Sequence, residues 1–195
     1  MYVATLIANS KNRNLSELIL KQVVNDLGGV KYKVLDHNIA IDINLVSEPS
    51  NFEIVWKQLQ KHQIDIVLQP IKNRRKNILL ADMDSTIIEQ ECIDELADEA
   101  GVGKRVAEIT KRAMNGELDF EDALIERVKL LKGLSSDIIV NVLKGRITLM
   151  PGAESLIKTM KRNGSYCALV SGGFTDFTEA ISKMLGFDEN RANTL

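Results

Sequence analysis

From Asn77 to Thr86 the chain reads N-I-L-L-A-D-M-D-S-T, with Ile78, Leu79, Leu80 and Ala81 running straight into Asp82 and Asp84. A short unbroken apolar run is the pattern of a parallel strand buried on both faces. In an open parallel sheet, ligands bind just outside the carboxyl ends of the strands, which is where Asp82 falls. Carboxylates at i and i+2 of an extended segment point to the same side, so Asp82 and Asp84 can address one small group together. Keeping both ionised there requires a cation or a shared proton. Such a pair taken alone is more often a helix cap or an exposed turn, so the surrounding sequence decides its meaning.

Downstream, the period turns helical. Ile93, Leu96, Ala97 and Ala100 form one stripe, Val106, Ile109 and Ala113 a second, and Phe120, Leu124, Val128 and Leu131 a third. Gly101, Gly116, Gly133 and Gly145 punctuate these stretches, and Asp119 and Ser136 stand as N-caps. After Pro151-Gly152, a helix through Leu156, Ile157 and Met160 leads to a second apolar strand, Tyr166 to Val170, ending in Ser171-Gly172-Gly173. Another helix is expected over 175–185. A parallel α/β unit, 78–91 and 151–195, is thus interrupted by a helical insert, 92–150, that begins just after the aspartates.

Upstream, residues 3–8 read as a strand. Asn14 with Glu17 three positions on resembles a capping box that opens a helix through Leu27, closed by Gly28-Gly29. A hairpin follows, in which Ile39, Ile41, Ile43 and Leu45 alternate with smaller or polar residues. Phe52, Val55, Trp56 and Leu59 then recur at helical spacing, and Ile64, Ile66 and Leu68 alternate again before Pro70. The order β-α-β-β-α-β predicts a separate ferredoxin-like α+β domain over 1–70. The segment IKNRRKN, 71–77, carries four basic residues and reads as a solvated linker.

The bulk numbers exclude several classes. With 195 residues, 45% of them hydrophobic, the chain can build substantial cores. Lys plus Arg total 25 against 27 Asp plus Glu, a net charge of −2, so there is no global electrostatic case for nucleic acid. No run of apolar residues is long enough to span a membrane, and no leader pattern opens the chain. Cys92 and Cys167 are far apart, with no further ligand at metal spacing, and read as packing residues in a reducing, cytoplasmic setting.

The chemistry suited to the pair is phosphoryl transfer. A carboxylate attacking phosphorus splits ester hydrolysis into two easier displacements through an aspartyl-phosphate. A second carboxyl can protonate the departing alkoxide and then deprotonate the attacking water. Mg2+, hard and oxygen-seeking, would hold the phosphate against the first carboxylate.

DMDST (82–86), with ECIDELA, ITKRAMNGELDFEDALIERVKLLKGL, MPGAE and LVSGGFT, resembles the haloacid dehalogenase-like phosphatases, and among them the branch that hydrolyses phosphoserine. The resemblance covers 78–195. It implies a doubly wound, Rossmann-like parallel core with a helical cap, and an N-terminal domain similar to ACT-like regulatory domains. It implies that Asp82 is the nucleophile and a metal ligand, and that Asp84 is the acid/base, with its backbone carbonyl contacting the metal. It further implies that Ser171 and Gly172 bind phosphate, and that Glu91, Phe120 and Arg127 line the pocket for O-phosphoserine. Physically, Arg127 suits a carboxylate and Glu91 an ammonium, and seven residues place Phe120 and Arg127 on one helix face.

The resemblance also implies a downstream lysine and a further aspartate motif that 78–195 do not contain; Lys158, Asp176 and Lys183 offer no replacement. The expectation is a core incomplete at its C-terminal side, with Ile78–Asp82 as an uncovered edge and impaired hydrolysis. A homodimer is a further expectation. The alternatives left open are a non-catalytic amino-acid-binding or regulatory fragment and a related small-molecule phosphatase.

Overall fold

The computed structural model describes residues 1–195, which divide into two units, Met1–Arg75 and Lys76–Leu195. The first is built from β1 (Tyr2–Ala8), α1 (Glu17–Leu27), β2 (Lys31–Asp36), β3 (Ala40–Leu45), α2 (Phe52–Gln60) and β4 (Ile64–Pro70). Its strands lie in the order β2-β3-β1-β4, all antiparallel, which is the ferredoxin-like arrangement. Alternate residues of the sheet, among them Leu6, Ile41, Ile43 and Ile64, are buried with Leu20 and Val23 of α1 and Val55 and Leu59 of α2 in one core.

Helix α1 starts differently from the expectation. Its cap is Ser16, whose extended backbone lets Oγ accept from the Ile19 amide at 3.3 Å. Asn14 lies too early to reach that amide, and its Nδ2 donates to the His62 carbonyl at 2.5 Å. At the other end Gly28 takes φ 68°, allowing its amide and that of Gly29 to satisfy the Asn25 and Val24 carbonyls.

Segment 71–77 is not wholly solvated. Arg74 reaches back to its own unit's sheet and pairs bidentately with the buried Asp42 of β3, at 2.6 and 2.8 Å. The Thr5 hydroxyl donates to Asp42 at 2.7 Å and accepts from Arg74 at 2.9 Å. Burial alone would push the Asp42 carboxyl up, but the hydrogen bonds from Arg74 and Thr5 and the Arg74 charge outweigh it and hold the carboxyl below its ordinary value. A depressed carboxylate adds stability above its unfolded pKa and loses it as pH falls through the folded one. Arg74→Ala should therefore destabilise this unit at neutral pH by about 2 kcal/mol, the cost of an uncompensated buried charge discounted for partial screening. The deficit should shrink below the carboxylate range, as read by denaturant melts across pH. An equal deficit at every pH would refute the pairing.

The second unit contains β5 (Ile78–Ala81), β6 (Tyr166–Phe174) and β7 (Glu189–Asn193), parallel and in the order β5-β6-β7. Between β5 and β6 come α3 (Cys92–Glu99), α4 (Gly103–Met114), α5 (Phe120–Lys129) and α6 (Asp137–Gly145), then α7 (Ala153–Arg162); α8 (Thr175–Leu185) joins β6 to β7. Strand β7 was not foreseen, because ENRAN carries no apolar alternation.

The expected parallel α/β sheet is present, and its three strands make a single winding with β5 at the edge. The strands follow one another without reversal, and right-handed crossovers then place α7 and α8 on the same face, where they touch. Leu79, Ala81 and Leu169 point to that face and join a core with Ile157, Phe177 and Ile181. On the opposite face Ile78 is 66% and Leu80 69% exposed, so β5 is not buried on both faces. It is an edge strand with one covered side.

The insert is tied at its base by the two chain segments that enter and leave it. Ile88 bridges Leu149, the Met150 amide donates to the Ile87 carbonyl at 2.9 Å, and the Gln90 side chain exchanges hydrogen bonds with Thr148 at 2.8 and 2.9 Å. Asp119 caps α5 by accepting from the Asp122 amide at 2.8 Å. Ser136 makes no side-chain cap because its own backbone is already helical; Ser135 Oγ accepts from the Asp137 amide instead. Arg146, just past α6, pairs with Glu95, Asp98 and Glu99 and so binds the end of the insert to α3.

Candidate active site

Asp82 follows directly on β5. Met83 is fully buried, so the residues on either side of it turn the other way, towards the open end of the sheet. The Met83 carbonyl accepts from the amides of Thr86, Ile87 and Ile88 at 3.2, 2.8 and 3.0 Å, closing a single tight turn. Within that turn Thr86 Oγ1 donates to Asp82 Oδ2 at 3.2 Å, orienting one oxygen of an otherwise exposed carboxylate.

The end of β6 supplies the opposite wall. The register of the strands shifts between Val170 and Phe174, which frees Ser171-Gly172-Gly173 from regular pairing. Ser171 Oγ accepts from the Gly173 amide at 2.9 Å, and Asn193 Nδ2 donates to the Gly172 carbonyl at 2.8 Å. Both glycines mark close approaches. A Cβ on Gly173 would stand 3.0 Å from Asp84 Oδ2 and 3.1 Å from Ser171 Oγ, and one on Gly172 would stand 3.1 Å from the Phe120 ring.

Helices α3 and α5 close the space. Glu91 precedes the first residue of α3, and α5 presents Phe120, Leu124 and Arg127. Arg127 Nε donates to the Ala123 carbonyl at 3.1 Å, leaving the outer guanidinium nitrogens free to meet a ligand. Phe120 is 66% exposed, so it is a wall of the cavity and not part of the core.

All seven residues singled out in the sequence, Asp82, Asp84, Glu91, Phe120, Arg127, Ser171 and Gly172, line one cavity of about 200 Å3. Ile93, Leu124, Gly173 and Phe174 complete it. Gly173 was legible in the Ser-Gly-Gly run, whereas the two apolar side chains and Ile93 look like any other core positions in a sequence.

The charge balance is uneven: three carboxylates face one guanidinium. Burial pushes the Asp84 carboxyl above its ordinary value, the neighbouring Glu91 and Asp82 charges add to this, and Cys92 partly offsets it. Asp84 Oδ1 is buried with no hydrogen-bond partner. Burial, with the Asp84 charge behind it, pushes the Cys92 thiol far up, and burial and Asp188 raise Cys167, so both sulfurs stay protonated packing groups.

The family model of the haloacid dehalogenase-like hydrolases matches residues 79–195. A phosphoserine phosphatase of Archaeoglobus fulgidus is 45% identical over 141 residues, covering 71% of this chain and 41% of the relative. The phosphoserine phosphatase of Saccharomyces cerevisiae is 32% identical over 207 residues, covering all of this chain and 67% of the relative. Among solved structures, a haloacid dehalogenase-family hydrolase from Salmonella enterica superposes with a TM-score of 0.81 at 26% identity, over 100% of this chain and 68% of the other. The chain thus spans less than half the length of the archaeal relative. With its aspartate pair, its Ser-Gly-Gly turn and more than half its length matched by the family model, the chain belongs to the haloacid dehalogenase-like hydrolases.

Proposed function

We propose that the chain carries a magnesium-dependent phosphatase site for O-phosphoserine, releasing serine and phosphate. One observation carries the reading: a single small cavity joins the two aspartates at one strand end to the Ser-Gly-Gly turn at the next, with one cation and one further carboxylate opposite. The curated relatives that bear the name phosphoserine phosphatase support it.

Asp82 is the nucleophile in this reading. Its carboxylate attacks phosphorus, the phosphorus–oxygen bond to the serine side chain breaks, and an aspartyl-phosphate forms. Asp84, raised by its surroundings, is suited to hold the proton that the departing alkoxide takes. It then accepts a proton from the water that hydrolyses the intermediate. The Ser171 hydroxyl and the Gly172 amide are donors for the equatorial phosphoryl oxygens, where charge gathers in the transition state. Arg127 takes the substrate carboxylate, Glu91 its ammonium, and Phe120 limits access of water.

A divalent cation suits this donor set. Magnesium keeps several waters and is commonly held by one or two carboxylates plus substrate phosphate. Asp82 would offer its carboxylate, one oxygen of which Thr86 orients, and Asp84 its backbone carbonyl, while three carboxylates against one guanidinium leave the cavity short of positive charge. When bound, the metal would supply charge neutralisation between carboxylates and phosphate. For the first unit, the ferredoxin-like strand order supports an ACT-like regulatory or scaffolding role, and the two free cysteines suit a reducing, cytoplasmic setting. No helix is long and apolar enough to cross a membrane.

The direct test is phosphate release. O-phosphoserine should be hydrolysed with magnesium and not with a chelator, and faster than O-phosphoethanolamine, which lacks the carboxylate, or 3-phosphooxypropionate, which lacks the ammonium. Equal rates for the three esters would refute the substrate assignment.

A further inference from the structure

Ser85 stands between the two aspartates and Glu91 in a conformation that serine rarely adopts. Its φ is 51°, and it is the sole non-glycine residue of Lys76–Leu195 with positive φ. Left-handed backbone favours glycine, then asparagine and aspartate. A glycine would take this turn at no steric cost, so what the serine adds is its hydroxyl. Strained residues persist where the surroundings hold them to a task.

The hydroxyl has one visible partner. Ser85 Oγ donates to Glu91 Oε1 at 2.7 Å, while the Ser85 amide donates to the Gln90 carbonyl at 3.1 Å and closes the loop between the two residues. Glu91 itself makes no cap bond to α3. Its carboxylate sits among Asp84 and Asp94, which repel it and cannot fix it. An exposed glutamate otherwise samples many rotamers, and each must be given up on binding a ligand. The Ser85 bond removes that freedom in advance and occupies one oxygen, leaving Oε2 for a cationic group in the cavity.

We propose that Ser85 is a positioning residue for recognition of the substrate's ammonium: its left-handed backbone aims the hydroxyl at Glu91 and holds that carboxylate turned towards the cavity. The inference rests on the phosphoserine reading above and adds to it the residue that sets Glu91. It has a specific signature, because the effect is confined to ligands that carry an ammonium.

The test uses the whole chain, with Ser85→Gly, which keeps the backbone conformation and deletes the hydroxyl, and Ser85→Ala beside it. Dissociation constants in magnesium buffer are measured by calorimetry in an Asp82→Asn background, which does not turn the ligands over, for O-phosphoserine, O-phosphoethanolamine and 3-phosphooxypropionate. Ser85→Gly should weaken the two ammonium-bearing ligands about tenfold, as expected for a lost hydrogen bond to a charged group, and leave 3-phosphooxypropionate within about twofold. KM should rise more than kcat falls, and the melting temperature should not drop. In a Glu91→Gln background the Ser85→Gly change should add little, since both act on one contact. Equal weakening of all three ligands would mean that Ser85 only builds the loop, and unchanged discrimination would mean that it does nothing for Glu91; either overturns the proposal alone. A protein with Ser85 intact in that background that binds O-phosphoserine no better than 3-phosphooxypropionate would instead overturn the ammonium assignment itself.

Discussion

Asp82→Asn should reduce phosphate release from O-phosphoserine by about 10^4-fold or more, the scale seen when a hydrolase loses its nucleophile. The amide has the same shape as the carboxylate but no charge and no basic lone pair with which to attack phosphorus. Nothing in the fold depends on that charge: Asp82 is exposed and its only hydrogen bond is from Thr86. The melting temperature should therefore stay put while turnover vanishes. Acid-quenched digestion and mass spectrometry should find a phosphate adduct on the peptide containing Asp82 in the wild type and none in the variant. Asp84→Asn should differ in kind, slowing adduct formation by about 10^2 to 10^4-fold while leaving the nucleophile in place. An adduct that survives Asp82→Asn would remove Asp82 from the mechanism.

The second large effect concerns substrate choice. Arg127→Ala should lower kcat/KM for O-phosphoserine by about a hundredfold, in the range measured when one partner of a desolvated charge pair is truncated. Turnover of O-phosphoethanolamine, which offers no carboxylate, should change by less than about threefold. The geometry explains the asymmetry: Arg127 forms no salt bridge within the chain, and its Nε bond to the Ala123 carbonyl holds the fork towards the cavity. Lysine should recover only part of the loss, because a point charge cannot make the two parallel bonds of a guanidinium. Equal losses on both esters would show that Arg127 holds the phosphate or the helix, and not the substrate's carboxylate.

Much of the architecture was readable because it is local. A short apolar run gave β1, period-two runs gave β3 and β4, helical stripes gave α1 to α5, and the stretch 175–185 came out as α8. Errors arose where a residue's neighbours in space differ from its neighbours in sequence. Asn14 looked like a cap because of Glu17, yet Ser16 has the backbone angles that the cap needs. Ile78 and Leu80 looked buried because apolar runs in parallel sheets usually are, yet both are exposed, since β5 lies at the edge that the resemblance implied and its second face carries no helix. Arg74 looked solvated in a basic run, yet Asp42 and Thr5 on two other strands capture it. The polar strand β7 had no signal at all, because it is recruited by β6 through backbone bonds that any side chains permit.

For the site, the sequence by itself determined which chemical groups are present: an aspartate pair after an apolar strand, a Ser-Gly-Gly turn after another, and an arginine and an aromatic on one helix face. These follow from spacing along one element, and spacing sets direction. Only the tertiary structure decided that the seven residues share one cavity, that a methyl group on Gly173 would press against Asp84, and that Ser85 takes a left-handed turn to reach Glu91. Those are distances between segments that the chain brings together only when β5, β6 and the insert pack on one another, and packing is a property of all their surfaces at once.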